Sequence, residues 1–116
     1  MGKVIKDLNQ TSTILKLLGD KTRLTMVALM NSTIECCVCE FVEIFNRSQP
    51  SISQHLRKMR DVGLVKEKRK GQWVFYSLNT EHEAYPLVLS ILEHVPDQKD
   101  KLDNLEAKGL RISCCN

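Results

Sequence analysis

Ser48-Gln49-Pro50-Ser51-Ile52-Ser53-Gln54-His55-Leu56, followed by Asp61-Val62-Gly63-Leu64-Val65 and Lys70-Gly71-Gln72-Trp73-Val74-Phe75-Tyr76, is the stretch that decides the fold. Ser48 is placed to cap a helix whose first turn tolerates Pro50, because a first-turn amide has no helical carbonyl to donate to. At 100° per residue Ile52, Leu56 and Met59 share one stripe, while Ser51, Gln54, Arg57 and Lys58 fall on the other side. Asp61-Val62-Gly63 ends that helix. Two strand-like runs follow, residues 64–69 and 73–78, joined by Lys70-Gly71-Gln72 into a hairpin with a basic tip.

Upstream, Ile5, Leu8, Leu15 and Leu18 follow a helical period that Gly19 can close. Asp20 suits the N-cap of a second helix that turns Leu24, Val27 and Ala28 inward. Ser32-Thr33-Ile34-Glu35 has the spacing of a capping box with Ser32 at the N-cap. It precedes a short third helix through Cys39 to Phe45 that carries the cysteine cluster at its first turn. Downstream, residues 83–95 predict a fifth helix too apolar for one buried face, so it is expected to pack on its own core and on a partner subunit. Short helix, turn, polar-faced helix and basic hairpin predict a mainly α fold with a β-hairpin wing. This is a winged helix-turn-helix, dimeric, whose second helix enters the major groove. In this reading residues 1–95 are the DNA-binding and dimerisation domain. Residues 96–116 are a polar C-terminal tail with vicinal cysteines and a loose helix up to Gly109.

The chain of 116 residues suits one domain, and 42% apolar with 27% charged residues predicts a folded core rather than disorder. No apolar run approaches the roughly 18 residues of a membrane span, and the first residues lack a signal core, so a soluble cytoplasmic protein is expected. The formal net charge is +3, but it is unevenly spread. Residues 47–70 hold eight cations against Asp61 and Glu67, leaving the rest of the chain at −3. A basic segment on an acidic body points to a polyanion bound at one place. The five cysteines sit as Cys36-Cys37-Val38-Cys39 and Cys114-Cys115. Disulfide scaffolds scatter their cysteines to close loops; clustered thiols in a cytosolic chain point instead to a soft metal or a redox role.

Leu18-Gly19-Asp20-Lys21-Thr22-Arg23-Leu24, with the helix and hairpin motifs quoted above, resembles the ArsR/SmtB family of metal-responsive repressors from about Leu15 to Leu78. Within that span Glu35-Cys36-Cys37-Val38-Cys39-Glu40 resembles the arsenic-sensor signature Glu-Leu-Cys-Val-Cys-Asp. The resemblance implies a homodimeric winged-helix repressor that sits on an operator inverted repeat of double-stranded DNA and releases it when inducer binds. It places the recognition stretch on Gln49, Ser51, Ser53, Gln54 and His55. This chain departs from the pattern where the third cysteine of arsenic sensors becomes Val42 and where Cys36 replaces the leucine. Residues 1–35 lack the cysteines of cadmium and lead sensors. Thr80 and Glu93 occupy positions where zinc and nickel sensors carry ligands, and His82 and His94 alone do not make that site.

Trivalent arsenic and antimony are soft and prefer three thiolates in a pyramid. Cys36, Cys37 and Cys39 are the expected ligands for As(III) or Sb(III) as inducer, with Cys114 or Cys115 of either subunit as the rival source of the third thiolate. In a regular helix Cys37 and Cys39 would point roughly 200° apart, so one ion can join them only if the first turn is unwound. Cys36 and Cys39 share a face. Either arrangement would distort the turn that feeds the helix-turn-helix, and a helix N-terminus is expected to lower thiol pKa and favour ligation. Ser51, Ser53, Gln54 and His55 can reach base edges, Gln54 being suited to adenine. Arg47, Arg57, Lys58, Lys68, Arg69 and Lys70 are expected on phosphates. Gln49 can cap or contact, and His55 can contact DNA or pack between helices. No βαβ unit surrounds the cysteines and no catalytic constellation is visible, so neither enzyme activity nor a catalytic cofactor is expected. A thiol redox sensor on the same scaffold is the alternative, followed by a cadmium or zinc sensor.

Overall fold

The structure, a computed structural model, describes residues 6–112. It opens with α1 (Leu8–Leu18), capped by Asp7, whose carboxylate accepts from Gln10 N at 3.0 Å. Ile14 and Leu18 are buried, whereas Leu8 is 84% exposed. Ile5, which the sequence pattern joins to this stripe, lies outside the described residues. Then α2 (Lys21–Asn31) starts at Asp20, which accepts from Arg23 N at 3.1 Å as its position predicts.

The next segment differs from the sequence reading. Ser32 does not open a capping box; it closes α2, its hydroxyl donating to Leu29 O at 2.8 Å. Glu35 turns to Lys70 instead, at 2.7 Å. Cys36–Cys37 forms a two-residue strand, β1, and only then does α3 (Val38–Phe45) begin, with Cys37 at its N-cap and Glu40 at the third helical position. The capping carboxylate is therefore Glu40, which accepts from Cys37 N at 2.7 Å. The spacing rule is satisfied twice in this stretch, and pairing of Cys36–Cys37 with the sheet selects the later register.

Asn46 ends α3 at φ 52°, a left-handed conformation that asparagine tolerates. The following helix, α4 (Gln49–Asp61), starts at Ser48, which accepts from Ser51 N, and buries Ile52, Leu56 and Met59 completely. Gly63 at φ 82° lets the chain reverse so that Leu64 N reaches Met59 O at 3.0 Å. The wing is β2 (Val65–Lys70) and β3 (Trp73–Leu78), paired antiparallel from Val65 opposite Leu78 to Lys70 opposite Trp73. β1 adds to the free edge of β3, Cys36 opposite Tyr76 and Cys37 opposite Phe75, which gives the order β1-β3-β2.

The fifth helix, α5 (Tyr85–Leu92), is shorter than predicted, and of its apolar residues Val88 is buried while Leu89 remains exposed. The sixth, α6 (Lys99–Ala107), is not a loose appendage. Leu102 and Leu105 are buried, and the helix packs on α3. Two apolar residues three apart in an otherwise charged stretch give little sequence signal, yet they suffice to seat one turn of helix. No helix among the described residues is long and apolar enough to cross a membrane.

Leu102→Ala, which empties a core position, should cost about 2–4 kcal/mol, whereas Leu110→Ala at an exposed position should cost less than about 1 kcal/mol. Urea unfolding of both variants checks this; equal midpoints would mean that α6 adds nothing to the core.

Candidate functional site

Because Cys37 ends a strand (φ −79°, ψ 148°) rather than lying within the helix, its side chain is freed from the helical spacing. The Cys39 thiol donates to Cys37 Sγ at 2.8 Å, so both sulfurs share one small volume. Cys36 does not join them. Successive strand residues point to opposite faces, and Cys36 lies fully buried in the core cluster beside Phe41 and Tyr76. Cys114 and Cys115 lie outside the described residues. Among the described residues no three His, Cys, Asp or Glu side chains gather in a way that could hold a metal ion.

The two sulfurs open onto a cleft of about 460 Å³. Its walls are Gln49, Ser53 and Arg57 of α4 and Arg69, Trp73 and Tyr76 of the wing. The thiols thus face the space between the polar-faced helix and the hairpin. Both elements carry residues that the sequence reading expects at DNA.

Cys36 and Cys39 hold their protons firmly, contrary to the lowering expected of a helix N-terminus. Burial, reinforced by the Glu40 carboxylate, pushes Cys36 up to about 12. Burial and the hydrogen bond with Cys37 push Cys39 up to about 12. Desolvation outweighs the partial positive charge of a helix of only eight residues.

Glu40 is the functional residue that the sequence reading missed. Its side chain is wholly buried, and its two oxygens take three donors. Oε1 accepts from Cys37 N at 2.7 Å, and Oε2 from Arg111 Nε at 2.8 Å and Ile112 N at 2.9 Å. The Cys37-Glu40 spacing was a usable signal, but nothing local announces Arg111 or Ile112.

On the outward side, Gln49, Gln54, Arg57 and Lys58 are exposed along α4, with Ser51 and Ser53 half-buried. Arg69 projects from the wing, its side chain 74% exposed and only 3.8 Å from Glu67 at its nearest. Lys70 is turned back, pairing with Glu35 and lying 5.0 Å over the Phe75 ring. Arg60 is held by Glu67, which raises the Arg60 pKa and lowers that of Glu67. His55 packs between helices: its Nδ1 lies 3.1 Å from Arg23 Nη1, and Arg23 Nε donates to Leu17 O at 2.7 Å. This chain of contacts joins α4 to α2 and the end of α1. His82, by Nε2 to Val62 O at 2.8 Å and Nδ1 accepting from Ala84 N at 2.9 Å, fastens the turn after α4 to the start of α5.

Comparison with known proteins agrees with this arrangement. Residues 20–67 match the family model described as bacterial regulatory protein, arsR family. The chain is 37% identical over 108 residues to the arsenic resistance transcriptional regulator ArsR2 of Pseudomonas putida, covering 88% of this chain and 94% of that protein. It is 39% identical over 72 residues to the arsenical resistance operon repressor of Escherichia coli, covering 62% of each. Among solved structures, the homodimeric winged helix-turn-helix DNA-binding domain of a possible ArsR-family regulator from Mycobacterium bovis superposes with a TM-score of 0.62. That match has 22% identity and covers 78% of this chain and 82% of that one.

Burial lowers the pKa of His55, with Arg23, Arg47 and Lys58 adding to the shift and Asp20 opposing it. The unfolded chain therefore binds the proton more tightly than the native state. The stability that neutral His55 contributes is complete above about pH 6.5 and is lost as pH falls through the lower native value. The drop in melting temperature between pH 7.5 and 5.5 should accordingly be smaller in His55→Asn than in the unaltered protein, and identical drops would assign the pH sensitivity elsewhere.

Proposed function

The chain belongs to the ArsR family of bacterial regulatory proteins, and from that premise we propose that it is a homodimeric repressor of an arsenical resistance operon that leaves its inverted-repeat operator when As(III) or Sb(III) binds Cys37 and Cys39. The observation that carries this reading is the pair of sulfurs 2.8 Å apart on the wall of a cleft bounded by α4 and the wing. Gln49, Ser51, Ser53 and Gln54 read base edges in this reading, and Arg57, Lys58 and Arg69 hold phosphates.

The chemistry suits protonated thiols. Arsenous acid brings its own hydroxides, so each As–S bond forms as an As–O bond breaks, and the thiol proton leaves with that hydroxide as water. A divalent cation has no hydroxide to give up and must expel each thiol proton into solvent. The raised pKa of Cys39 therefore handicaps cadmium and zinc more than arsenic. Motion at Cys37 reaches the wing through the backbone, because Cys37 pairs with Phe75 in β3 and β3 pairs with β2. It reaches α4 through α3, which packs on it. Useful induction needs about 2–3 kcal/mol of coupling between the sites, roughly 30- to 150-fold in DNA affinity.

Fluorescence anisotropy on the inverted repeat upstream of the gene tests this at fixed salt. Stoichiometric arsenite should release the reduced protein, whereas Cys37→Ser/Cys39→Ser should bind DNA within about 3-fold of the unaltered protein and stay bound. Release of that variant by arsenite, or release of the parent by peroxide alone, would overturn the assignment, the latter in favour of a redox sensor.

Between pH 6.5 and 8 the arsenite concentration for half-release should move less than about 3-fold, while cadmium binding should tighten roughly tenfold per pH unit for each thiol proton expelled. Equal slopes for the two ions would contradict this proton balance.

A further inference from the structure

Two sulfurs meet at the cleft wall, yet inorganic As(III) completes its pyramid with three. Among the described residues no third thiol joins them. Cys36 lies on the core face of β1 and would have to leave the packed interior. Val42, three residues beyond Cys39, lines the same cleft but offers no donor atom. Resting on the reading above, we infer that the third sulfur comes from solution, on a small anionic thiol that the cleft holds beside arsenic.

The size and the charge of the cleft both favour such a ligand. Its volume of about 460 Å³ falls in the range of roughly 300–1,000 Å³ that holds small organic molecules. Arsenous acid, a single arsenic with its hydroxides, leaves most of that space unfilled. The charged groups on the walls are Arg57, Arg60 and Arg69 against the one carboxylate of Glu67. Glu67 is taken up chiefly by Arg60, and Arg69 comes no closer to it than 3.8 Å. Arg57, exposed on α4, and Arg69, exposed on the wing, therefore present guanidinium groups from two sides of the cleft that holds the sulfurs. Guanidinium pairs with carboxylate in charge-assisted hydrogen bonds, so a carboxylate attached to the incoming thiol has partners there. A neutral or cationic thiol has none.

The step balances without a redox partner. Cys37, Cys39 and the small thiol each replace one hydroxide of arsenous acid. An As–S bond forms as an As–O bond breaks, and each thiol proton leaves with its hydroxide as water. The carboxylate of the small thiol then lies on Arg57 and Arg69, which hold phosphate in the reading above. Inducer and DNA thus compete for the same charges.

The test uses the full chain, reduced with a phosphine and desalted under argon so that no other thiol remains. It receives one equivalent of arsenite, alone or with one equivalent of mercaptosuccinate (anionic), mercaptoethanol (neutral) or cysteamine (cationic). X-ray absorption at the arsenic edge should count two sulfurs and one oxygen without added thiol, and three sulfurs with mercaptosuccinate. Competition with a dithiol chelator should show arsenic held at least about tenfold more tightly with mercaptosuccinate than with mercaptoethanol, and least tightly with cysteamine. Added salt should shrink that advantage. In Arg57→Gln/Arg69→Gln, read as arsenic binding without DNA, the anionic and neutral thiols should converge to within about 3-fold. Three sulfurs on arsenic without added thiol would overturn the inference in favour of a third thiol of the chain. Equal affinities with mercaptosuccinate and mercaptoethanol in the unaltered protein would overturn it too, whatever the arginine variant does. Failure of the underlying reading looks different: Cys37→Ser/Cys39→Ser would then hold arsenic as tightly as the parent under every condition.

Discussion

A carboxylate withdrawn from water has to be matched by donors, or its burial costs several kcal/mol. Glu40 is matched by the Cys37 amide, the Ile112 amide and the Arg111 guanidinium, and much of the structure around the thiols depends on that match. The bond to Cys37 N fixes the point at which strand becomes helix. Because Cys37 is thereby kept extended, its sulfur can meet that of Cys39, which a continuous helix would have turned away. The bonds to Arg111 and Ile112 bring the far end of the chain to the same turn, with α6 seated on α3 beneath it.

The same turn is joined to both elements that carry the proposed DNA contacts. β1 is an edge strand of the wing, so the cysteine backbone and the hairpin move as one sheet. α3 packs on α4, whose buried stripe of Ile52, Leu56 and Met59 fixes which side chains face outward. The basic segment divides into two populations. Arg60 and Lys70 are turned onto Glu67 and Glu35 and brace the wing, while Arg57, Lys58, Lys68 and Arg69 project into solvent. The Lys70–Glu35 pair is part-buried, with Glu35 the more enclosed partner, while Arg60 lies at the surface.

His55 shows how a polar residue on a recognition helix can serve the fold. Its Nδ1 meets Arg23, which also holds the Leu17 carbonyl, so the orientation of α4 is tied to the junction of α1 and α2. Sequence alone leaves this residue between DNA contact and helix packing. The structure puts its ring among the helices, with Gln54 and Arg57 on the outward side.

Much of the architecture was legible because its signals are local. Asp20 and Ser48 cap helices where their positions predict, the Ile52-Leu56-Met59 stripe has a helical period, and Gly63 and Gly71 mark the turns that bound the wing. Helix lengths were less legible. α5 stops at Leu92, since the apolar run on which the longer helix rested does not require helical geometry through Val95. The sequence by itself determined the winged helix-turn-helix and the clustering of thiols beside it. Only the tertiary structure decided that Cys37 and Cys39 meet while Cys36 turns inward, and that Glu40 rather than Glu35 caps α3. A two-residue strand has no period to read, and the Glu40–Ile112 bond spans 72 positions of sequence that carry no trace of it.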